Sequence, residues 1–291
     1  MPGLRQGNAA LVPEESESFS YGFVFEPMFI PDQFGSIILT VDRWNIQQTG
    51  IVGVLDEQSA MNLDYLARLS GGTNPLVGRA APTPAEVASF AGTGLAPAGE
   101  VLYVNAAFTN LRPLEVGGVD FGLVYQNEFG ELGDLTMNLN VTKLEDFFQE
   151  ADPQQQILLD AKTSGVINAG VPLTGFSDLI AQAGNPEIKW TLSATWSRGP
   201  MQVGFMTQYT DDVIQPTVLD AARNPWEVDS LQTYNLYAQY SLSGFLGGES
   251  SVRIGARNLT DEQPPLASGG YLGNLHQPQG RYSYASVRHS F

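Results

Sequence analysis

Apolar and polar residues alternate along much of the chain with the period of two that is typical of a β-strand with one buried face. The clearest stretch covers residues 135–142, in which leucine, methionine and valine alternate with threonine and asparagine. A polar face of Thr and Asn suits the water-filled interior of a membrane barrel better than it suits a surface in bulk solvent. A strand of a soluble sandwich can show the same alternation, so this pattern alone leaves both classes open.

Alternating segments predict nine strands, and the connections between these strands follow a regular rhythm. Short connections alternate with long ones, which is typical of outer-membrane barrels with short periplasmic turns and long extracellular loops. The predicted strands are 15–27, 36–51, 101–126, 132–147, 186–197, 200–213, 229–243, 250–260 and 279–291. The short connections are 27–35, 127–131, 198–199 and 244–249, and the long ones are 52–100, 148–185, 214–228 and 261–278. The predicted fold class is therefore all-β, an antiparallel transmembrane β-barrel segment.

The long loops contain segments that are typical of short helices. They are 57–68, 83–91, 155–162 and 176–183, and the second opens with Thr83-Pro84-Ala85-Glu86, a helix-start signature. Because these segments lie in loops, we expect them to fold over the outer mouth of the barrel.

The strand count and the start of the chain both predict an incomplete barrel. A barrel with both termini in the periplasm needs an even number of strands, and nine is odd. Residues 1–7 contain no apolar segment of the kind that a signal peptide needs. We therefore expect residues 1–291 to be the C-terminal portion of a barrel, without a plug domain and without a signal peptide.

Composition is consistent with this fold class and excludes several functions. Charged residues make up 15% of the chain, against roughly 25% in an average soluble protein, and the remaining polar residues need a watery surface such as a barrel lumen. The net charge of −17 argues against nucleic acid as a partner. The chain has no cysteine, so disulfides and thiolate metal sites are excluded. No apolar run approaches the roughly 20 residues of a membrane helix.

Candidate catalytic chemistry is sparse. The two histidines, His276 and His289, do not have the spacing of a zinc site. No nucleophile elbow, phosphate-binding loop or dinucleotide fingerprint is present in the sequence. We therefore predict that the chain is not an enzyme, and we predict no cofactor.

Several motifs resemble those of the TonB-dependent outer-membrane receptors. Residues 7–16 resemble the loop-to-strand motif N-P-x-L-x-P-E-x-S of that family. Residues 39–44 resemble its next strand, although Arg43 stands where an aromatic residue is usual. Asn110, followed by Gly118-Val119-Asp120, resembles a long strand of the family.

The end of the chain carries the most specific resemblance. Residues 255–265 are similar to the element G-x-x-N-L-[FT]-D-x-x-P-P, and residues 278–281 to the P-x-G-R that opens the last strand, which here ends on Phe291. The resemblance covers nearly the whole chain, in the same order, and corresponds to about the last nine of the family's 22 strands. The motif residues expected to be structural are Asn258, Leu259, Asp261, Pro264, Pro265, Gly280 and Arg281.

This resemblance implies an importer in the outer membrane of a Gram-negative cell. Its ligand would be a scarce nutrient such as a ferric siderophore, a cobalamin-like cofactor or an oligosaccharide, with loops 52–100 and 148–185 as binding lids. The family's plug and TonB box are not found in this sequence, so the TonB system is a partner only if a missing N-terminal part supplies a plug. The alternatives are a non-transporting β-rich outer-membrane or surface binding protein, a small barrel closed on its own nine or ten strands, and a non-functional truncated relic.

Individual residues receive roles on the same basis. The final strand resembles the signal read by the barrel-assembly machinery, with Ala285, Val287, His289 and Phe291 on one face. We expect Asn258 and Asp261 to bind the loop backbone through their side chains, and Arg281 to pair with a lumen carboxylate. Aromatic residues at strand ends predict an interfacial girdle: Phe25, Tyr125, Trp196, Tyr240 and Phe291. The acidic loop positions predict a solvated surface, or one bridged to lipopolysaccharide by divalent ions, in preference to a ligand site: Glu145, Asp146, Glu150, Asp152, Asp211, Asp212 and Asp220.

Overall fold

The computed structural model describes residues 3–182, 184–245 and 247–290, and most of these residues form strands. In chain order, strands β1 to β16 are Gly3–Gln6, Glu15–Phe25, Ser36–Thr49, Val52–Val54, Val77–Arg79, Val101–Asn110, Leu114–Glu128, Asp134–Gln149, Ser177–Asp178, Ile188–Arg198, Met201–Thr210, Val213–Leu219, Pro225–Val228, Leu231–Phe245, Gly248–Arg257 and Tyr282–Ser290. Helices α1, α2 and α3 are Glu57–Leu69, Pro84–Ser89 and Pro153–Thr163. Short 3-10 turns occupy Asp32–Phe34 and Gly130–Leu132.

Nine long strands form one antiparallel sheet, in the order β2, β3, β7, β8, β10, β11, β14, β15 and β16, and β9 adds a tenth strand beside β8. Apart from insertions in the long loops, consecutive strands along the chain are neighbours in space. The alternation of connections is confirmed, because the short connections 26–35, 129–133 and 199–200 alternate with the long ones 50–113, 150–187 and 211–230. The predicted all-β antiparallel fold class is therefore confirmed. None of the described helices is both long enough and apolar enough to cross a membrane.

The single strand predicted over 101–126 is wrong, because the structure divides it into β6 and β7. Residues 111–113 separate the two strands, and β6 pairs with β1, β4 and β5 in a different sheet. Pro113 has no backbone N–H to donate to a ladder, which explains the interruption. Only β7 belongs to the nine-stranded series.

Three of the four predicted loop helices are confirmed, as α1, α2 and α3. Their N-terminal residues explain their positions: Asp56 accepts a hydrogen bond from the backbone N–H of Ser59, and Thr83 and Asp152 each form a reciprocal capping box followed by proline. The helix predicted over 176–183 is wrong within the described residues. Strand β9 and turns occupy 177–182, and Ala183 lies outside the described residues.

The chain folds into two compact units, each built from several separate segments. Unit 1 comprises residues 1–17, 46–115 and 148–178. It contains the small sheet of β1, β6, β4 and β5, together with the three helices. One core cluster joins Leu55, Ala60, Val77 and Val104, and a second joins Leu158, Ala161 and Ile167.

A buried charge cluster lies within unit 1. Asp64 of α1 is fully buried and accepts hydrogen bonds from Arg68, Arg79 and the backbone N–H of Asn74. Both arginines also form salt bridges with it, at 3.0 and 2.8 Å. The cluster connects α1 to the segment that leads into β5, so it fixes the fold of the long loop before β6.

Unit 2 comprises residues 18–45, 116–147 and 179–291 and contains most of the large sheet. Its small apolar core joins Val213 and Val228, from the hairpin β12–β13, to Ala267 in the connection between β15 and β16. This connection, residues 258–281, is called the closing loop below.

The strand register gives the sheet of unit 2 two chemically different faces. One row across β11, β14, β15 and β16 is Val203, Ala238, Ile254 and Ala285. The neighbouring row points to the opposite face, because successive side chains alternate along a strand, and it reads Gly204, Tyr237, Gly255 and Tyr284. The first face carries large exposed aliphatic side chains, including Ile254 at 59% and Val287 at 75% exposure. Exposure of this kind is expected of a lipid-facing surface.

Candidate functional site

A cavity of unit 2 lies on the polar face of the sheet, beneath the closing loop. It has a volume of about 560 Å³ and is bounded by β10, β11, β14, β15, β16 and the closing loop. Most of its polar lining is uncharged, as in Thr195, Gln208 and Thr233, and its charged lining residues are Arg257 and Glu262. The cavity lies within the range of 300–1,000 Å³ that is usual for small-molecule sites.

Two glycines allow tyrosine rings to cover the cavity wall. The ring of Tyr237 lies over Gly204, where a β-carbon would come within 2.1 Å of a ring carbon. Tyr284 covers Gly255 in the same way, at 2.7 Å. The guanidinium of Arg253 stands 4.3 Å from the centroid of the Tyr237 ring, which adds a cation–π contact. The positions of these rings therefore depend on the absence of side chains at the neighbouring strand positions.

Asn258 anchors the start of the closing loop. It adopts a left-handed conformation with φ of 47°, and it is buried. Its side-chain amide donates to the carbonyl oxygen of Glu262 at 2.8 Å, and its Oδ1 accepts the N–H of Glu262 at 2.9 Å. The backbone N–H of Asn258 donates to Oδ1 of Asn235 on β14. Asn258 thus joins the end of β15 to both the loop and the neighbouring strand.

Asp261 and the residues near Arg281 close the other end of the loop. Oδ1 of Asp261 accepts the backbone N–H of Arg281 at 2.6 Å, and a β-carbon on Gly280 would lie 2.7 Å from the same oxygen. The pairing of Arg281 with a lumen carboxylate is not observed, because no salt bridge within the described residues involves its exposed side chain. Arg281 meets Asp261 through its main chain. Pro264 and Pro265 are half-buried between these two anchors.

Replacing Asn258 with alanine is expected to lower the free energy of unfolding by about 2 kcal/mol. The substitution removes the hydrogen bonds of the side-chain amide. It also leaves alanine in a left-handed conformation, which is unfavourable for a residue with a β-carbon and no local side-chain hydrogen bond. Urea unfolding of the protein in detergent micelles measures this loss. Asn258→Gly separates the two causes, because glycine restores the backbone freedom but not the hydrogen bonds. Equal losses for the two variants would contradict any part for the left-handed conformation.

His276 lies in the closing loop, lines the cavity, and is only 3% exposed. Neither of its ring nitrogens has a hydrogen-bond partner among the described residues. Burial lowers the pKa of His276 below its ordinary value of 6.5, and the positive charge of Lys189 acts in the same direction. The buried imidazole is therefore neutral at neutral pH. The sequence around His276 predicts no role for it, because nothing in that local sequence indicates that the side chain is buried.

Acidification is expected to destabilise the folded closing loop through His276. Because the pKa is lower in the folded state than in the unfolded state, the unfolded state binds more protons once the pH falls below about 6.5. The protection factors of the amides in residues 266–277, which correct for the slower intrinsic exchange at lower pH, should therefore decrease between pH 7.5 and pH 5. The decrease should be smaller in His276→Phe and unchanged in His289→Phe. The same pH response in both variants would mean that another group is responsible.

The fold has clear relatives among solved structures. The siderophore receptor PirA from Acinetobacter baumannii matches 99% of this chain, with a TM-score of 0.55 at 16% identity, over 33% of its own length. A mutant of the ferric enterobactin receptor PfeA from Pseudomonas aeruginosa, in complex with enterobactin, matches 97% with a TM-score of 0.54 at 11% identity, over 32% of its length. The FrpB iron transporter from Neisseria meningitidis matches 98% with a TM-score of 0.51 at 11% identity, over 32% of its length. No family model and no curated protein matches the sequence.

The chain has the fold of a TonB-dependent receptor barrel. The resemblance drawn from the sequence motifs is therefore confirmed at the level of the fold. The chain spans about a third of the length of these structures. PirA is described as a siderophore receptor, FrpB as an iron transporter and PfeA as a ferric enterobactin receptor.

Three of the four residues of the expected assembly signal lie in β16, the last strand of the sheet. Ala285, Val287 and His289 lie opposite Ile254, Val252 and Ser250 of β15, and Nδ1 of His289 is 2.8 Å from the Ser250 hydroxyl. Phe291 lies outside the described residues. Recognition of this strand by the assembly machinery remains a prediction.

Aromatic side chains lie near both ends of β10, and one of them, Trp196, belongs to the predicted girdle. Nε1 of Trp196 donates to the carbonyl oxygen of Leu132 in a short turn, at 2.9 Å. At the loop end, Trp190 stacks on Tyr209 with ring centroids 5.7 Å apart. Phe25 and Tyr240 are exposed and Tyr125 is half-buried, whereas Phe291 is not described. The girdle remains a prediction until the position of the membrane is measured.

The acidic loop residues are dispersed over separate local contacts. Glu145 pairs with Arg43 and Glu150 with Arg112, whereas Asp152 caps α3. Asp211 accepts the Tyr209 hydroxyl, and Asp220 accepts the backbone N–H of Asn224. Within the described part of the chain, no group of three or more acidic, histidine or cysteine residues could hold a metal ion. This dispersal favours the interpretation of a solvated acidic surface.

Proposed function

We propose that this chain is the strand-rich, membrane-embedded portion of an outer-membrane receptor that takes up a scarce nutrient, such as a ferric siderophore, a cofactor or an oligosaccharide. The observation that carries the proposal is the two-faced sheet of unit 2. One face presents exposed aliphatic side chains, and the other presents uncharged polar residues beneath the closing loop. An outer-membrane barrel needs this arrangement, because one face of its wall contacts lipid and the other faces a watery lumen.

The aromatic residues support a membrane position. Trp190 and Trp196 lie on the same face of β10, six residues apart, which corresponds to about 20 Å along a strand. The apolar band of outer-membrane barrels is about 25 Å tall and is flanked by aromatic residues on both sides. Because barrel strands are tilted by about 35–45°, this separation corresponds to roughly 15 Å of the height of the band, so the two rings would lie in opposite halves of it. Outer-membrane lipid and lipopolysaccharide would then contact the aliphatic face, and the barrel-assembly machinery would insert the sheet.

The chain would supply nine strands of a larger barrel, since it spans about a third of the length of the structures that it resembles. In this proposal, residues 1–291 are the C-terminal portion of the barrel, and other sequence supplies the remaining strands and the plug. The TonB system would act on that plug. PirA is a siderophore receptor and FrpB an iron transporter by name, which favours iron-bearing nutrients among the candidates.

A topology experiment tests this function. The full chain is exported in a Gram-negative host behind a cleavable signal sequence, with an epitope inserted either after Gly92 in a long loop or after Gly199 in a short turn. We expect outer-membrane fractionation, with antibody access on intact cells to the tag after Gly92 only. Recovery as a soluble periplasmic protein, or equal access to both tags, would overturn the proposal.

Refolding into lipid vesicles gives a second test that does not depend on cellular assembly. Lipids brominated near the headgroup should quench Trp190 and Trp196 more strongly than lipids brominated at the end of the acyl chain. Single Trp→Phe variants at these two positions assign the signal. Fluorescence that neither lipid quenches would show that the sheet does not enter the bilayer.

A further inference from the structure

Two short turns of unit 2 expose large apolar side chains. They are residues 26–35, between β2 and β3, and residues 128–134, from the end of β7 to the start of β8. Together they are called the turn surface below. Met28 is 96% exposed and Phe29 is 80% exposed, and the other exposed apolar residues are Phe34, Phe129 and Leu132. An exposed apolar patch of this kind marks a site of interaction with a protein or with a membrane.

The two turns are held side by side. The side-chain amide of Asn127, which is buried, donates to the carbonyl oxygen of Gln33 at 3.4 Å. Gly35 packs so closely against the end of β7 that a β-carbon there would lie 2.2 Å from a backbone oxygen. Phe34 and Phe129 lie within two residues of this contact. The apolar side chains of the two turns therefore belong to one surface.

Negative charge surrounds these apolar side chains. The turn surface contains no basic residue, and its five carboxylates are all exposed: Glu26, Asp32, Glu128, Glu131 and Asp134. None of the five forms a salt bridge with another residue that the structure describes. One basic residue, Arg198, borders Gly133 from the neighbouring turn. The surface keeps a clear excess of negative charge.

This charge decides between the two kinds of partner. Nε1 of Trp196 donates to the carbonyl oxygen of Leu132 at 2.9 Å, so the second turn lies beside the predicted girdle and the bilayer is the competing partner. A bilayer would accept the apolar side chains, but its surface carries no net positive charge for the carboxylates. A polypeptide with both apolar and basic side chains would satisfy both parts of the surface.

We propose that the turn surface binds a basic polypeptide segment, whose apolar side chains pack against Met28, Phe29 and Leu132 and whose lysine or arginine side chains pair with the surrounding carboxylates. An apolar centre within a polar rim is the usual anatomy of a protein–protein interface, and a few large central side chains carry most of the binding energy. The proposal goes beyond the receptor function. In the proposed receptor the short turns face the periplasm, so the partner would be a periplasmic protein.

Photocrosslinking of the refolded full chain to a defined peptide tests the proposal. The probe is a soluble helical peptide with leucine along one face, lysine along the other, and a photoreactive diazirine group. A comparison peptide carries glutamate in place of lysine, and the protein is held in non-ionic micelles that do not discriminate between the two charges. We expect the lysine peptide to label residues 26–35 and 128–134 about tenfold more than the glutamate peptide does. Added salt should reduce this labelling.

Two variants assign the labelling to the turn surface. Leu132→Ser removes an apolar side chain from its centre and should reduce labelling about tenfold. Leu266→Ser is the matched control, because Leu266 is 65% exposed against 66% for Leu132, but lies in the closing loop at the other end of the strands. It should be labelled like the unmodified chain. Glu128→Gln combined with Glu131→Gln should reduce both the labelling and its dependence on salt. Far-UV circular dichroism checks that each variant is folded.

A single fluorophore separates a protein partner from the bilayer. Because the chain has no cysteine, Phe29→Cys provides one attachment site for a nitrobenzoxadiazole label. In phospholipid vesicles in which Trp196 is quenched by brominated lipid, we expect the label to remain accessible to aqueous iodide. A label that brominated lipid quenches and iodide does not reach would assign the turn surface to the bilayer and overturn the proposal.

The other contrary outcomes are distinct from failure of the receptor function. Equal labelling by the two peptides, labelling outside the turn surface, or unchanged labelling of Leu132→Ser would each overturn the proposal. Crosslinking is measured in micelles, so it does not depend on whether the chain reaches the outer membrane. Labelling without membrane insertion would leave the turn surface intact as a binding site and overturn the receptor, whereas insertion without labelling would do the reverse.

Discussion

Replacing Asp64 with alanine is expected to lower the free energy of unfolding of unit 1 by about 3–5 kcal/mol, because it leaves two partly buried arginines without their shared carboxylate. Asp64 is fully buried, whereas Arg68 and Arg79 are 19% and 17% exposed. Its other oxygen accepts the backbone N–H of Asn74 at 3.1 Å. The substitution therefore breaks the contacts between α1 and the segment before β5 together.

The measurement is hydrogen exchange in α1 and in residues 74–79, combined with urea unfolding. Glu57→Ala is the matched control, because its salt bridge with Arg5 joins two half-exposed side chains and should be worth less than about 1 kcal/mol. Similar losses for the two variants would show that the buried cluster contributes no more than a surface pair.

The same cluster predicts a response to acid. Burial alone would raise the pKa of Asp64, but the hydrogen bonds from Asn74, Arg68 and Arg79 outweigh it and hold the pKa below the ordinary value of 3.8. The unfolded state therefore binds a proton at a higher pH than the folded state does. The contribution of Asp64 to stability is complete above about pH 5 and decreases as the pH falls through the folded-state pKa.

Replacing Gly204 with valine is expected to destabilise the sheet of unit 2 by about 1–3 kcal/mol. Valine is otherwise favoured in strands and glycine is not, so substitution at an unobstructed strand position would raise stability. The Tyr237 ring reverses the expected sign, because a β-carbon at Gly204 would come within 2.1 Å of it. The ring would have to leave both the glycine and its contact with Arg253.

Urea unfolding in micelles measures this effect. Gly269→Val is the control, because its β-carbon would meet no atom within 4 Å and its backbone is not left-handed, and it should change stability by less than about 0.5 kcal/mol. Tyr237→Ala provides the direct test. In its background, Gly204→Val should cost much less, with a coupling of about 0.5–3 kcal/mol between the two sites. Strictly additive losses would rule out the ring as the cause.

Local patterns in the sequence predicted the strands and their connections well. In strands such as β8 and β10, alternation of residue types sets which side chains share a face, and this holds wherever the strand lies. Turn residues act locally too, as at Gly199, which has a φ of 55° in the two-residue connection between β10 and β11. The helix caps at Thr83 and Asp152 depend only on residues three positions away.

The errors and omissions arose where distant residues decide the structure. The strand predicted over 101–126 divides at residues 111–113, and β6 pairs with β1 and β4 rather than with the large sheet. The helix predicted over 176–183 was replaced in part by β9, which pairs with the end of β8. Arg281 was expected to bind a carboxylate through its side chain, but the fold of the loop places its backbone N–H against Asp261.

Near the end of the chain, the sequence by itself predicted the final strands, the side-chain contacts of Asn258 and Asp261 with the loop backbone, and the family that the motifs resemble. Only the tertiary structure decided what the closing loop covers. Burial of His276, the cavity beneath it and the row of Gly204, Tyr237, Gly255 and Tyr284 all depend on how strands far apart in sequence align. Alternation fixes the face of a residue but not its cross-strand neighbour, because register is set by contacts between strands.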